Sequence, residues 1–509
     1  MQKRWARLLL RRRVFVIALL ALQVGLMVMM VYSSSQAYRW LYNLLNVISL
    51  MVVLHVISTG SRASYKLLWS VIILSFPLFG GLLYLMIRFQ SLTVKLKKRL
   101  QTAEQNLHLL LQRDPAVWEQ FIEEYPEYSG HCHYLTKHCT FSLYQGETVT
   151  YLSPGEEKFK AMLTALEQAE KFIFLEYFIV QEGKMWNSIL EVLERKAKAG
   201  VDVRLIYDDM GCFMLLPHDY EKRLFKKGIR CVVFNKFRPA LSTLQNNRDH
   251  RKIAVIDGKW AFTGGINLAD EYINEIKRHG HWKDASVMIT GKAVESYTFM
   301  FLSMWQALTG EKAEAKQYLY ASPKDTKPDG YIIPYSDSPI DDEYVGEQVY
   351  VNIISGAREY LYIQTPYLIV DDSLISALVL AAKKGVDVKI LTPGIPDKWY
   401  VHMTTQSYYR ELLSGGVQIF EYTPGFLHSK IMLADDKVAT VGTVNLDCRS
   451  LYLHFECGTW LCGSSEIPVM KEDFLKTLKK CKQIAPSDCK VGFLRRLLQN
   501  LFRLFAPLM

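Results

Sequence analysis

The rhythm of apolar and polar positions changes near residue 100 of this 509-residue chain. Before that point, apolar residues run in three blocks: VFVIALLALQVGLMVMMVY from Val14, LYNLLNVISLMVVLHVI from Leu41, and LLWSVIILSFPLFGGLLYLMI from Leu67. A helix needs about 20 such residues to cross a bilayer. The blocks 14–32 and 67–87 meet that length, whereas 41–57 is shorter and carries Asn43, Asn46 and His55. The first block is too long for a signal-peptide core and no small-residue cleavage site follows it. Residues 1–100 therefore read as a membrane anchor, and 101–145, continuing the charged amphipathic run from Lys95 to Arg113, as a linker leading away from it.

Farther on, strand and helix patterns alternate. FIFLEYFIV (172–180) has the unbroken apolar character of a buried strand; MWNSILEVLERKAKAG is an amphipathic helix ending at Gly200; VDVRLIYDD is a second strand. The same order returns as YLYIQTPYLIV from Tyr360, SLISALVLAAKKG and VDVKILTPG. The joints KAKAGVDVRL and AAKKGVDVKI nearly coincide, and the turn-rich SPKDTKPDG lies between the two sets. This pattern predicts an α/β fold, duplicated internally, with two βαβ-rich halves at 146–322 and 323–480 packed about a pseudo-twofold axis. The remaining 481–509 contains GFLRRLLQNLFRLFAPLM, where Leu494, Leu497, Leu498, Leu501 and Phe502 share a helical face and Arg495, Arg496 and Arg503 are interspersed. That suits an interfacial helix on anionic lipid, a buried terminal helix being the plainer alternative.

Charge sharpens the division. The net charge is +10, but residues 1–100 hold fourteen Lys and Arg and no acid, which leaves −4 for 101–509. A nucleic-acid-binding body would need its own basic face, so nucleic acid is excluded as a partner. Lys3, Arg4, Arg7 and Arg11 to Arg13 favour a cytoplasmic start, and Arg88, Lys95, Lys97, Lys98 and Arg99 a cytoplasmic exit with the catalytic part on that side. Both hold together only for an even number of crossings. Either one block lies in the interface or turns back, with SFPLFGG the place for a hairpin, or the charge rule fails here. Nine cysteines without regular spacing read as reduced thiols facing the cytosol. HCHYLTKHC (131–139) lacks a zinc-finger spacing and reads as local core or loop.

The duplication carries chemistry. HRKIAVIDGKWAFTGGINLADEY aligns without gaps against HSKIMLADDKVATVGTVNLDCRS, pairing His250 with His428, Lys252 with Lys430, Asp257 with Asp435, Gly264 with Gly442 and Asn267 with Asn445. On a strand, i and i+2 share a face, so each half presents an imidazole beside a fixed positive charge. Asp257 and Asp435 stand at an odd offset from their histidines and open turns, which gives them a structural reading. In TGGIN and VGTVN, the turn residues Gly265 and Thr443 with Asn267 and Asn445 are candidates to hold phosphate oxygens. Two such halves around one pocket suit phosphodiester chemistry: one histidine attacks phosphorus, the other protonates the leaving oxygen, and the lysines supply the positive charge without metal or cofactor. Asp284 and Glu456 each open a later strand; they either orient a histidine or serve as strand-end charges.

These residues resemble the phospholipase D superfamily, whose motif is HxKx4D followed by a Gly-rich turn and Asn; both copies match in full. NNRDHRKIAVIDG, AFTGGINLADEY, EYTPGFLHSK and NLDCRSLYLHFE are similar to the bacterial cardiolipin synthase family, and the resemblance runs from about Leu41 onward. The block 14–32 is additional to the two apolar segments usual there. The resemblance implies a multi-pass protein of the cell membrane that transfers a phosphatidyl group between two phosphatidylglycerol molecules, giving cardiolipin and glycerol through a phosphohistidine. It places His250 as nucleophile and His428 as acid and base, and counts Asp257 and Asp435 among the active-site residues. A hydrolytic phospholipase D, or a transferase using phosphatidylethanolamine, is the alternative.

Overall fold

The computed structural model describes residues 21–25, 28–29, 32, 36–60, 62–88, 91–108, 111, 114–146, 148–236, 246–312, 315–319, 329–341 and 343–509. Beyond the N-terminal segment, two sheets carry the fold. The first runs in the order Thr148–Leu152, Ser286–Thr290, Trp260–Gly264, Lys252–Ile256, Phe172–Tyr177, Asp202–Asp208, Arg230–Phe234. The second repeats it as Tyr331–Asp337, His454–Cys462, Val438–Gly442, Ile431–Ala434, Tyr360–Gln364, Asp387–Pro393, Gln418–Tyr422. Tyr144–Gln145 and Cys481–Gln483 extend its two edges. The last three strands of each core order are parallel and joined by helices, as the βαβ rhythm requires.

The halves share a core. Ile253, Val255 and Val287 of the first sheet and Ile431, Leu433 and Val441 of the second lie in one buried apolar cluster with the helix Val294–Thr309. Tyr297 on that helix reaches across to Thr459 Oγ1 (2.5 Å). The helix Ser91–His108 packs on it, with Leu100 and Ala103 buried, so the expected linker is fastened to the body rather than leading away from it. The HCHYLTKHC stretch forms short helical turns that bury Cys132 and Leu135.

The N-terminal segment departs from the expected lengths. The block 14–32 lies largely outside the described residues, though Gln23 accepts hydrogen bonds from Leu78 and Phe79 N–H (2.8 and 3.3 Å). The middle block is the core of a 23-residue helix, Gln36–Ser58, whose window Arg39–Ser58 is long and apolar enough to cross a membrane. It is the one such helix among the described residues. Residues 67–87 instead split at Pro77 into Ala63–Ser75 and Pro77–Arg88. At 1.5 Å per residue these are about 20 and 18 Å long, short of a hydrocarbon core of roughly 30 Å. They fold back on each other: Trp69 meets Tyr84 edge-on at 5.3 Å, and a Cβ at Gly80 would stand 2.6 Å from Ile72 O. Hydropathy sums across this break, but proline ends the helix. Arg62, between the long helix and the hairpin, ties both to the body through Glu347 and Asp371 (3.3 Å).

The turns after the two HxK strands decide the role of their aspartates. Asp257 and Asp435 adopt φ of +53° and +57°. Asp257 accepts from the backbone N–H of Glu170, Lys171 and Phe172 (2.7, 2.8 and 2.8 Å), and Asp435 from those of Arg358, Glu359 and Tyr360 (2.8, 2.9 and 2.9 Å). Each carboxylate thus starts the neighbouring strand, at the end opposite its histidine. Seven residues of extended chain put them about 23 Å apart. The catalytic placement that the resemblance carried for Asp257 and Asp435 is corrected on this geometry. Asp257→Ala is expected to destabilise the fold by about 3 kcal/mol, and the more exposed Asp435→Ala by about 1 kcal/mol. Thermal unfolding in detergent measures both, and unchanged midpoints would contradict the assignment.

Candidate active site

Each HxK stretch is held by the other half. Arg248–Asp249 pairs in parallel with His454 and Phe455, and Gly425–Leu427 pairs in parallel with His281–Lys283. At the histidines the cross-half ladder continues: His250 N–H donates to Phe455 O (2.9 Å) and His428 N–H to Lys283 O (2.7 Å). The next residues in those partner strands are Glu456 and Asp284. His250 Nδ1 lies 2.9 Å from Glu456 Oε1, and His428 Nδ1 lies 2.7 Å from Asp284 Oδ2. Both acids are therefore histidine partners, each for the histidine of the opposite half, leaving Nε2 as the ring nitrogen available to a ligand.

The two histidines line one cavity of about 790 Å³ together with Asn267 and Asn445. Lys252 Nζ donates to His250 O (2.6 Å) and Lys430 Nζ to His428 O, so each lysine folds back over its own histidine. Asn267 accepts from Ile179 N–H (3.0 Å) and donates to Tyr272 OH (2.8 Å), whose ring stands edge-on to His428 at 5.5 Å. Asn445 Oδ1 is buried with no partner.

Gly265 and Thr443 do not face the cavity as phosphate donors. Their N–H groups donate to Ala285 O (3.0 Å) and Cys457 O (2.9 Å) across the sheet. A Cβ on Gly265 would stand 2.0 Å from Asp284 Oδ1, so the glycine makes room for the acid behind His428. Thr443 Oγ1 donates to Glu456, the acid behind His250. Sequence order could not show that both N–H groups are consumed by the ladder.

The charges are arranged for an anion. Burial holds His250 well below the usual histidine range, Lys252 adding to the effect. Burial and Lys430 hold His428 down to about 4 against the pull of Asp284. Burial by itself would raise Asp284, but His428 and Lys430 outweigh it and keep the carboxyl low; burial raises Glu456 well above its usual value despite Lys252. Burial also lowers Lys430 to about 7 and Lys252 to about 8, with Asp284 and Glu456 opposing. Among the described residues one trio, His250, His454 and Glu456, brings ligand atoms within 4.8 Å of one another and could hold a metal ion. Lys252, Arg248 and Arg449 all act on His454 and disfavour a cation there.

Sequence reasoning missed His454, Tyr272 and the chain's last residues. Phe505, Leu508 and Met509 line the cavity, and Arg449 N–H donates to Met509 O (3.0 Å). A histidine two residues before Glu456, where the first half has Trp282, was the available signal for His454.

The crossed His–acid pairs over a duplicated sheet define a phospholipase D-like protein. The family model described as cardiolipin synthase, PLD-like domain, matches residues 162–305 and 350–478, and the phospholipase D-nuclease N-terminal model matches 44–88. The chain belongs to the cardiolipin synthase family of phosphatidyltransferases. It is 44% identical over 90% of its length to an uncharacterized protein of Streptococcus mutans serotype c, covering 99% of that chain. It is 34% identical over 92% of its length to a cardiolipin synthase of Alkalihalophilus pseudofirmus, covering 95% of it. Phosphatidylserine synthase of Haemophilus influenzae shares the fold, with TM-score 0.57 and 14% identity over 72% of this chain and 97% of that one.

Anion binding requires the lysines protonated. They carry their charge below their lowered values and lose it above them, so kcat/KM is expected to fall as pH rises through about 7, where Lys430 loses its proton, and more steeply past about 8, where Lys252 follows. Lys430→Arg, which stays charged, is expected to move that limb upward. A pH–rate profile with the same basic limb in wild type and variant would contradict this.

Proposed function

We propose that the cavity joins two phosphatidylglycerol molecules into cardiolipin and glycerol. The observation that carries this reading is the pair of buried histidines facing one cavity, each fixed by an acid from the other half. His250 Nε2 attacks phosphorus, the bond to the glycerol headgroup oxygen breaks, and His428 gives that oxygen its proton. A bound phosphodiester adds negative charge beside His428 and raises it toward the protonated state. Asp284, kept ionised, stabilises that imidazolium, while Glu456 is held toward its neutral form beside His250. This difference supports His428 as the acid. The phosphatidyl group then rests on His250. His428, now neutral, takes the proton from a hydroxyl of the second lipid, which attacks phosphorus as the P–N bond breaks. Lys252 and Lys430, with Asn267 and Asn445 in the wall, stand ready to stabilise charge on the non-bridging oxygens.

Labelled phosphatidylglycerol given to the purified protein in vesicles is expected to yield cardiolipin and glycerol. His250→Asn and His428→Asn each lower the rate by at least about 1,000-fold, within the reach of combined nucleophilic and acid–base catalysis. Phosphatidic acid without cardiolipin would make the protein a hydrolase, and full turnover in either variant would contradict the two-histidine reading.

The surface supports access from a membrane. The helix Phe493–Leu504 turns its polar side inward: Gln499 is buried, Arg495 donates to Gln406 (2.8 Å) and Arg503 to Glu411 (2.8 Å). Its apolar side faces out, with Phe493 and Leu494 79% and 74% exposed. It packs beside the hairpin helix Ala63–Ser75, and exposed Trp399 meets Phe502 at 5.7 Å. In this reading the block 14–32 and the helix Gln36–Ser58 cross the bilayer, the hairpin 63–88 enters and leaves on the cytoplasmic side, and the C-terminal helix lies in that interface on anionic lipid. Added protease should cut the catalytic part in inverted vesicles and spare it in right-side-out ones, and the reverse would overturn the sidedness. A bimane dye on Leu497→Cys should be blue-shifted by lipid; emission like that of a water-exposed label would overturn the interfacial placement.

A further inference from the structure

The two halves share the histidines, lysines and asparagines of the site, and among the positions where they differ one pair lies beside the acids. Two residues before each acid, the first half has Trp282 and the second has His454. Trp282 points its Nε1 at Asp284 Oδ2 (3.4 Å) and packs against His428 at 5.2 Å between ring centres. His454 lines the cavity with its ring 5.3 Å from that of His250. It is 9% exposed, and neither ring nitrogen has a hydrogen-bond partner; Glu456 Oε1 stands 3.7 Å from Nδ1. A neutral imidazole always has one N–H to donate, and a buried donor without an acceptor is costly unless a ligand supplies one.

The surroundings say which kind of ligand. Arg248 and Arg449 line the same cavity, and the strongest charges acting on His454 are Arg449, Lys252, Arg248 and Lys398, all positive. Arg449 is anchored by the tail: its N–H and Nε donate to the carbonyls of Met509 (3.0 Å) and Leu508 (2.8 Å). Asp447, the acid acting most strongly on Arg449, caps Ser450 N–H (2.8 Å) and is itself held toward its neutral form by burial. Of these cations, Arg449, Arg248 and Lys398 lie outside the two HxK strands, while Lys252 belongs to the first.

We propose that His454 and Arg449, with Arg248, form a second anion subsite that holds the phosphate of the acceptor lipid while the reacting phosphate lies between His250 and His428. The inference rests on the cardiolipin reading. There the acceptor brings its own phosphodiester, linked to the attacking hydroxyl through one glycerol, so both phosphates must fit one cavity. The apolar Phe505 and Leu508 in the same wall favour a lipid headgroup over free phosphate.

The test uses the full-length protein in vesicles with phosphatidylglycerol as donor and compares two soluble acceptors that differ by one phosphate, glycerol and glycerol 3-phosphate. The wild type should prefer glycerol 3-phosphate. His454→Phe and Arg449→Gln should each lower the ratio of the two kcat/KM values roughly tenfold, the loss of one charge-assisted hydrogen bond, and Arg449→Lys should retain part of it. Because the readout is a ratio within each variant, a general loss of activity does not imitate it. A wild-type ratio near one, an unchanged ratio in both variants, or inorganic phosphate inhibiting both acceptors alike would overturn the subsite. A wild type that makes no cardiolipin at all would instead overturn the reading on which the subsite rests.

Discussion

The site depends on a reciprocal constraint: each half of the molecule supplies the acid that orients the other half's histidine. Neither His250 nor His428 takes its acid from its own half. The parallel contacts of Arg248–Asp249 with His454 and Phe455, and of Gly425–Leu427 with His281–Lys283, set the two pairs in place. The buried carboxylates would be costly by themselves, and the histidines and lysines facing them provide the compensation. Assembly of the shared core and assembly of the catalytic centre are therefore one event. The lysines serve the same economy, since their hydrogen bonds to the carbonyls of His250 and His428 keep the positive charge beside the phosphate position.

The duplication is also broken where two equal halves must do unequal work. Asp284 is kept ionised and is backed by a glycine; Glu456 is held toward neutral and is backed by the Thr443 hydroxyl. Trp282, Tyr272 and Phe426 surround His428 with aromatic rings, while His454 and Phe178 face His250. A transfer reaction with one nucleophile and one acid needs such a difference, and two identical halves could not provide it.

The repeated motif made much of this legible before any coordinates. Strand period placed each histidine and lysine on one face and turned Asp257 and Asp435 away, in agreement with where their carboxylates bond. The alternation of strands and helices gave the duplicated α/β fold with its matching strand order. What stayed hidden was long-range. His250 and Glu456 are 206 residues apart and His428 and Asp284 are 144 apart, and nothing local records that they cross between halves. The part assigned to Gly265 and Thr443 was misjudged because a free turn and a turn whose N–H groups enter the sheet have the same sequence. The hairpin at Pro77 shows the same limit: apolar content is additive along the chain, whereas helix length is decided by a single proline.

The division of labour between the histidines is tested most directly by trapping the intermediate. Protein incubated with phosphatidylglycerol labelled in the phosphatidyl group, quenched at alkaline pH within a turnover and mapped by peptide mass spectrometry, should carry that group on His250. An adduct on His428, or turnover to cardiolipin with no histidine adduct at any time, would contradict the account.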